Sequence, residues 1–246
     1  MRLASYGYDV LIVTLLISAG LMAGGYFIEG LPILHYGVMA LGLFLLLFTL
    51  YFFRDPNRTL PDEDPDRIVI APADGKVFLL HDIVESDYLK GPGKLIAIFL
   101  SPLDVHVNRN PINGVVELKD YHKGEFVPAF KDKSSEVNER THIGVNGKHI
   151  RLLMKQIAGT IARRIVCPLE IGTQVQIGER YGMIKFGSRT DLLVPPGLEI
   201  LVKPGDKVVG GQTIICRIPV GYNMERELSA TSKSSITNPE DLWQSE

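Results

Sequence analysis

The chain has 246 residues, of which 46% are hydrophobic and 22% charged, and its formal net charge is -2 at pH 7. These values exclude a disordered or fibrous chain and remove any whole-protein case for nucleic-acid binding. Two cysteines without CxxC or Cys/His spacing argue against a disulfide scaffold and a structural zinc site.

The mean hydropathy of +0.13 conceals an asymmetry, because the apolar excess lies in the first fifth of the chain. Val10 to Ile28 contains no charged residue, and Leu31 to Phe53 contains none beyond the titratable His35. Each run matches the roughly 20 residues that cross a hydrocarbon core. Glu29-Gly30-Leu31-Pro32 between them reads as a tight turn, so residues 1–53 are expected to form a transmembrane helical hairpin. Arg2 precedes it, Arg54 and Arg58 follow it, and the turn carries only Glu29. The positive-inside rule then places both termini, and the domain that follows, on the cytoplasmic side of the inner membrane. A cleaved signal peptide competes, but the first run lacks a small-x-small site followed by polar sequence. The hairpin reads equally as an anchor alone or as an access route for a substrate.

After the proline-rich joint Arg54-Asp55-Pro56-Asn57-Arg58, residues 54–222 read as short strands rich in β-branched residues. The expected strands are Ile68 to Ile70, Lys76 to Val84, Leu95 to Leu100, Gly114 to Leu118, His149 to Ile157, Ile161 to Val166, Asp191 to Val194, Leu198 to Val202 and Thr213 to Val220. A further strand follows the polar run Asn138-Glu139-Arg140-Thr141-His142, and Lys131 to Arg140 reads as a short helix or mobile loop. Turn residues every 8–12 positions favour a mainly β fold, an antiparallel sandwich or open barrel. Gly172-x-x-Val175-x-x-Gly178 recurs 33 residues later as Gly205-x-x-Val208-x-x-Gly211. Two such glycine-bounded hairpins resemble the hammerheads of biotinyl and lipoyl carrier domains. Residues 223–246 are polar and are expected to be disordered.

Three local runs draw attention as chemistry. Pro72-Ala73-Asp74-Gly75 puts an acid in a tight turn, although Asp-Gly is also a common β-turn. Ser101-Pro102-Leu103-Asp104-Val105-His106-Val107-Asn108-Arg109 puts a histidine among polar residues after an apolar strand. Phe186-Gly187-Ser188-Arg189-Thr190-Asp191 lies between the two repeats, where a Gly-Ser pair alone would be read as a turn.

In this order, together with Phe53-Arg54-Asp55-Pro56, Arg58 and Asn138-Glu139-Arg140, these runs resemble the phosphatidylserine decarboxylases in their short, membrane-anchored form. The resemblance covers about residues 50 to 220. It implies self-cleavage between Gly187 and Ser188 into β and α chains. Ser188 Oγ attacks the Gly187 carbonyl to give an ester, elimination follows, and hydrolysis leaves a pyruvoyl group. Glycine leaves the carbonyl open on both faces, and a poor hydroxyl nucleophile needs a base within hydrogen-bond reach. The pyruvoyl group then takes the serine amine of the lipid as a Schiff base, carbon dioxide leaves, and phosphatidylethanolamine is released; no metal is required. The resemblance assigns Asp74 to orient and charge a histidine that activates Ser188. It implies a bilayer-borne phosphatidylserine substrate and a homodimer.

Longer members of the family carry two histidines three residues apart where this chain has His106 and Arg109. His106 is therefore expected to serve as base, with His142 as first alternative and His122 and His149 after it. Arg109, which cannot shuttle a proton near neutral pH, is expected to bind or to brace, Arg164 or Arg163 to face a phosphate or carboxylate, and His142 to be a further candidate for substrate binding. Arg189 stands where the long forms usually have threonine. The mixed run Lys119, His122, Lys123, Phe126, Phe130, Lys131 and Lys133 reads as a polar loop or as a contact with an anionic membrane. Two competing functions remain: a membrane-anchored serine hydrolase using Ser188, His106 and Asp74, and a carrier module using Lys185. The first lacks Gly-x-Ser-x-Gly around the serine. The second lacks the methionines that usually flank the carrier lysine.

Overall fold

A computed structural model describes residues 2–127, 137–159, 164–185 and 188–231. The expectations for Lys131 to Arg140 before Val137, for Phe130, Lys131, Lys133, Arg163 and Gly187, and for the tail from 232 onward lie outside the described residues. The chain divides into two compact units, residues 1–57 and 58–246.

The first unit is a pair of helices, α1 (Tyr8–Tyr26) and α2 (Pro32–Phe52). The spans Ser5–Tyr26 and Pro32–Phe52 are long and apolar enough to cross a membrane, with mean hydropathies of 1.7 and 2.1. Glycines allow the close approach of the two backbones. A Cβ added to Gly42 would come 2.9 Å from the Ser18 carbonyl oxygen, and one on Gly25 would come 2.9 Å from Met39 Cγ. Outside these contacts Ile12, Leu16, Phe44 and Leu47 are exposed. Strand β1 (Arg2–Leu3) pairs antiparallel with β2 (Arg54–Asp55), so the two ends of the hairpin meet.

The second unit is antiparallel β, as the strand pattern implies. Its strands are β3 (Ile68–Ile70), β4 (Gly75–Glu85), β5 (Gly91–Leu100), β6 (Val107–Arg109), β7 (Gly114–His122), β8 (Arg140–Asn146) and β9 (Arg151–Ile157). There follow β10 (Arg164–Val166), β11 (Gln174–Val175), β12 (Arg180–Lys185), β13 (Ser188–Val194), β14 (Glu199–Ile200), β15 (Lys207–Val208) and β16 (Ile214–Arg217). Eight of them form one curled sheet in the order β11-β7-β8-β9-β13-β5-β4-β15, and two three-stranded sheets, β10-β12-β6 and β14-β16-β3, complete the unit. On the inner face of the large sheet Val77, Ile96, Ile98, Ile143, Met154 and Leu192 form one core with Val69, Tyr181 and Ile215 of the small sheets. On its outer face Leu95, Leu153 and Leu193 pack with Ile83, Tyr88 and Leu89. Strand β5 reads Leu95-Ile96-Ala97-Ile98-Phe99-Leu100 without alternation because both its faces are covered.

The glycine repeat becomes a structural duplication. Val175 of β11 pairs with Gly114 at one edge of the large sheet, and Val208 of β15 pairs with Gly75 at the other. The hydrogen bonds are equivalent. Gly172 N donates to Val116 O and Gly205 N to Val77 O, while Gly178 N donates to Asn110 O and Gly211 N to Ala71 O. Gly178 and Gly211 both have φ of 79°, in the left-handed region that favours glycine. The partners of the repeats are duplicated too, as Pro72-Ala73-Asp74-Gly75 and Pro111-Ile112-Asn113-Gly114. The Asn113 carboxamide oxygen accepts from Ile177 N at 2.9 Å, and Asp74 Oδ1 accepts from Gly210 N at 2.8 Å.

The expectation of a disordered segment from residue 223 is corrected over Met224–Thr231, which is helical. Asn223 Oδ1 caps this helix by accepting from Arg226 N, and Glu225 and Glu227 place negative charge in its first turn.

Candidate active site

One end of the large sheet gathers the polar runs. Antiparallel pairing brings together the last residues of β5 and β9 and the first residues of β4, β8 and β13. Asp74 precedes β4, the Ser101 to His106 segment follows β5, Asn138 and Glu139 precede β8, and Ala158 follows β9. Ser188 opens β13 opposite Leu100, and Met183 of β12 stands opposite Val107 of β6. The chain on both sides of the Gly187–Ser188 bond is therefore laddered to the two ends of the segment that carries His106. Arg164 stands opposite Lys185, which places it at the same end, and it is exposed.

His106 is fully buried, and its Nδ1 lies 3.0 Å from the Asp104 carbonyl oxygen. A carbonyl only accepts, so Nδ1 carries the proton and Nε2 is the basic nitrogen of the neutral ring. The resemblance assigns Asp74 to a histidine; the partner of His106 Nδ1 is the Asp104 carbonyl, and the Asp74 carboxylate has partners of its own. Asp74 Oδ2 accepts from Arg58 Nη2 at 2.7 Å and its Oδ1 from Gly210 N. Arg58 also donates to Gln212 Oε1. Burial raises the Asp74 pKa, and the Arg58 charge and the Gly210 N–H pull it back, while Asp104 adds to the rise. The acid thus clasps the edge of the second repeat, the place held by the amide of Asn113 in the first, and its charge stands near Asp104.

Three buried amides and hydroxyls form a polar group that reading the sequence missed. Gln156 Nε2 donates to Asn108 Oδ1 at 2.8 Å, and Asn108 Nδ2 lies 3.4 Å from Thr190 Oγ1. Gln156 and Thr190 are cross-strand partners, and Thr190 shares the inner face with Leu192 and Val194. The available signal was the apolar context: a glutamine two residues beyond Met154 keeps the inward phase of β9. Asn138 is also fully buried and closes the same end, its Nδ2 donating to Ala158 O at 2.7 Å and Val127 O at 2.8 Å. The Asn-Glu-Arg run is thus a clasp between the start of β8 and the end of β9.

The remaining candidates separate. Arg109 is 5% exposed, and its Nη1 donates to Gly178 O at 3.0 Å, while its Cδ would meet a Cβ added to Gly211 at 2.7 Å. It lies against the terminal glycines of both repeats, a bracing position. His142 lies on the outer face, paired across strands with Asp120 and Lys155, and its ring centroid is 4.6 Å from that of His122. Burial, helped by Lys155, His122 and Arg140, lowers its pKa to about 3, so it is neutral near pH 7. It faces away from the Asn108, Gln156 and Thr190 group, so the fold does not bring it to that group either as the alternative base or as a substrate-binding residue. His149 lies in the hairpin between β8 and β9, at the opposite end of the sheet. Lys185 is buried at the end of β12, not displayed on a turn as a carrier lysine must be.

The family model described as phosphatidylserine decarboxylase matches residues 45–216. The chain belongs to the phosphatidylserine decarboxylase family. Among its relatives, the phosphatidylserine decarboxylase proenzyme of Chlorobium limicola is 45% identical over 216 residues, covering 87% of this chain and 99% of the relative. That of Salinibacter ruber is 46% identical over 194 residues, covering 77% of this chain and 86% of its own length. That of Carboxydothermus hydrogenoformans is 48% identical over 175 residues, covering 71% and 81%. The part matched to the phosphatidylserine decarboxylase family contains every strand from β3 to β15 and all the runs gathered at the sheet end. No cluster of three or more His, Cys, Asp or Glu able to hold a metal occurs among the described residues.

Proposed function

We propose that this chain is a membrane-anchored phosphatidylserine decarboxylase, made as a precursor that cuts itself between Gly187 and Ser188 and thereafter carries a pyruvoyl group at position 188. One observation carries the reading. Strand β12 ends at Lys185 and β13 begins at Ser188, the residue on the C-terminal side of the bond. After the cut β12 keeps its ladders to β6 and β10, and β13 keeps those to β5 and β9. Processing there severs a connection while the fold stays in place. The relatives' designation as proenzymes supports the same reading.

The chemistry divides among the residues at the sheet end. His106, basic at Nε2, takes the Ser188 hydroxyl proton as the oxygen attacks the Gly187 carbonyl carbon. The C–N bond breaks and an ester forms. Removal of the Cα proton at 188 then breaks the Cβ–O bond, leaving Gly187 with a carboxylate that retains the former serine oxygen. Water adds to the resulting imine tautomer, and ammonia leaves. The fit of a ketone at this position rests on the strand end: residue 188 has no chain before it once cut, and the donors Asn108, Gln156 and Thr190 lie one step inside. When formed, the group supplies an electron sink for the carbanion that loss of carbon dioxide creates. His106 then returns a proton to that carbon. Arg164, exposed beside Lys185, is placed to meet a lipid phosphate.

The test is direct. Full-length protein in phosphatidylserine vesicles should release labelled carbon dioxide from lipid labelled in the serine carboxyl, and hydroxylamine, which traps ketones, should abolish release. Release that hydroxylamine leaves untouched would assign the activity to other chemistry.

The apolar hairpin provides the anchor, with the catalytic unit on the cytoplasmic side and the bilayer as the source of substrate; we include a homodimer in the reading. A cysteine at Gly30 should react with an impermeant maleimide added outside intact cells, and one at Asn57 should not. The reverse pattern would place the catalytic unit on the far side.

A further inference from the structure

Arg189, directly after the cut, is used by none of the steps above. Its side chain is 0% exposed and that of Asp191 is 1% exposed, and Arg189 Nε donates to Asp191 Oδ1 at 2.5 Å. The guanidinium carbon lies 4.9 Å from the ring centroid of Phe78. Both terminal nitrogens, Nη1 and Nη2, are buried without a hydrogen-bond partner among the described residues. A buried donor without a partner costs about 1–3 kcal/mol, more when charged. Here one residue has two, side by side, in the fork geometry that fits a carboxylate. Asp191 engages only Nε and leaves that fork open. The strand places Arg189 with Asp191 and Leu193 on the outer face, opposite to Thr190.

We propose that the Arg189 guanidinium is a carboxylate receptor, and that the carboxylate it takes is the new β-chain terminus at Gly187. The inference rests on self-cleavage at Gly187–Ser188. The elimination step makes one carboxylate, at the residue that was joined to position 188 and so stands two positions before Arg189 in the chain. The same cut removes the covalent tie that keeps the two apart. Capture on the outer face draws the terminus away from the inner-face group of Asn108, Gln156 and Thr190, and so leaves the ketone open to the lipid amine. Arg189 is thus a positioning residue for the processed enzyme. The lipid's serine carboxylate has the same chemistry and is the competing source.

The experiment uses processed full-length protein in detergent, a broad-specificity carboxypeptidase and intact mass. The wild-type β chain should end at Gly187 and resist trimming, whereas in Arg189→Gln it should lose Gly187 and then Phe186, and before trimming kcat for phosphatidylserine should fall at least twofold with KM changed less than twofold. If Arg189→Gln fails to fold, Arg189→Lys takes its place: one point contact in place of a fork predicts trimming at least tenfold faster than wild type. A resistant β chain with KM raised tenfold or more would overturn the terminus as ligand and give the fork to the headgroup carboxylate. A resistant β chain with unchanged KM would overturn the receptor. A wild-type chain that is never cut removes the processing reading itself, and the terminus with it, and is seen in the same mass spectrum before any carboxypeptidase is added.

Discussion

Ser188→Ala should stay a single uncut chain and release no carbon dioxide from phosphatidylserine. Alanine has no oxygen to attack the Gly187 carbonyl, and no ester means no elimination and no ketone. The loss is complete because the nucleophile and the electron sink arise from the same side chain. The fold survives, since β13 keeps its pairing with β5 and β9 from backbone groups alone. A denaturing gel and a thermal melt read the two properties separately. If Ser188→Ala splits into the same two fragments as wild type, a contaminating protease makes the cut and the self-processing reading falls.

The second large effect separates His106 from Arg109. His106→Ala should slow cleavage by about 10²–10⁴-fold, the usual contribution of a positioned base, and uncut precursor should accumulate. Arg109→Ala should still be cut. It removes a charged donor from Gly178 O and opens space against Gly211, at a cost of about 2 kcal/mol, read as a lower urea midpoint. Normal cleavage in His106→Ala would remove the histidine from the base role. An uncut, stably folded Arg109→Ala would place the arginine in the cleavage machinery and end its assignment as a brace.

The legibility of this chain in its sequence varies with the physical source of each feature. The helix pair is plain because the sequence holds two long apolar runs without Asp, Glu, Lys or Arg, parted by Gly30 and Pro32. The long strands β4, β5 and β9 are plain because covered faces demand Ile, Leu and Val in runs. Strand β12 is hidden, because Arg180-Tyr181-Gly182-Met183-Ile184-Lys185 begins and ends in charge and holds a glycine. That glycine is required by packing: a Cβ on Gly182 would come 2.2 Å from the Val166 carbonyl oxygen. Strand β6, Val107-Asn108-Arg109, looks like a loop because its polar side chains are satisfied inside the protein.

For the candidate site, family motifs mark which runs matter, and pairing register shows how they meet. The role of Asp74 is not legible from its neighbours. Its counterpart Asn113, 39 residues on, makes the same backbone contact with no acid at all, and only that comparison separates clasp from charge. The 33-residue glycine repeat was visible alone; its companion, Pro-x-Asx-Gly occurring twice, was in view as well and identifies the second half of the duplication. Arg109 is ambiguous in sequence because the chemistry that lets an arginine grip a phosphate also lets it grip a carbonyl, and burial decides between them.

A cut between Gly187 and Ser188, as proposed, would make the position of β13 decisive for the resulting two-chain assembly. The strand that begins at the cut lies in the middle of the eight-stranded sheet, between β9 and β5, both of which belong to the other chain. The smaller chain also supplies β15, at the sheet's edge beside β4, and β14 and β16 in the sheet that holds β3. It is therefore interleaved with its partner and not docked on it. The two cannot separate without tearing out a central strand, so their dissociation is global unfolding under another name. On that reading, subunits cut in different molecules would not exchange, and each active unit would live and die with the single polypeptide from which it was made.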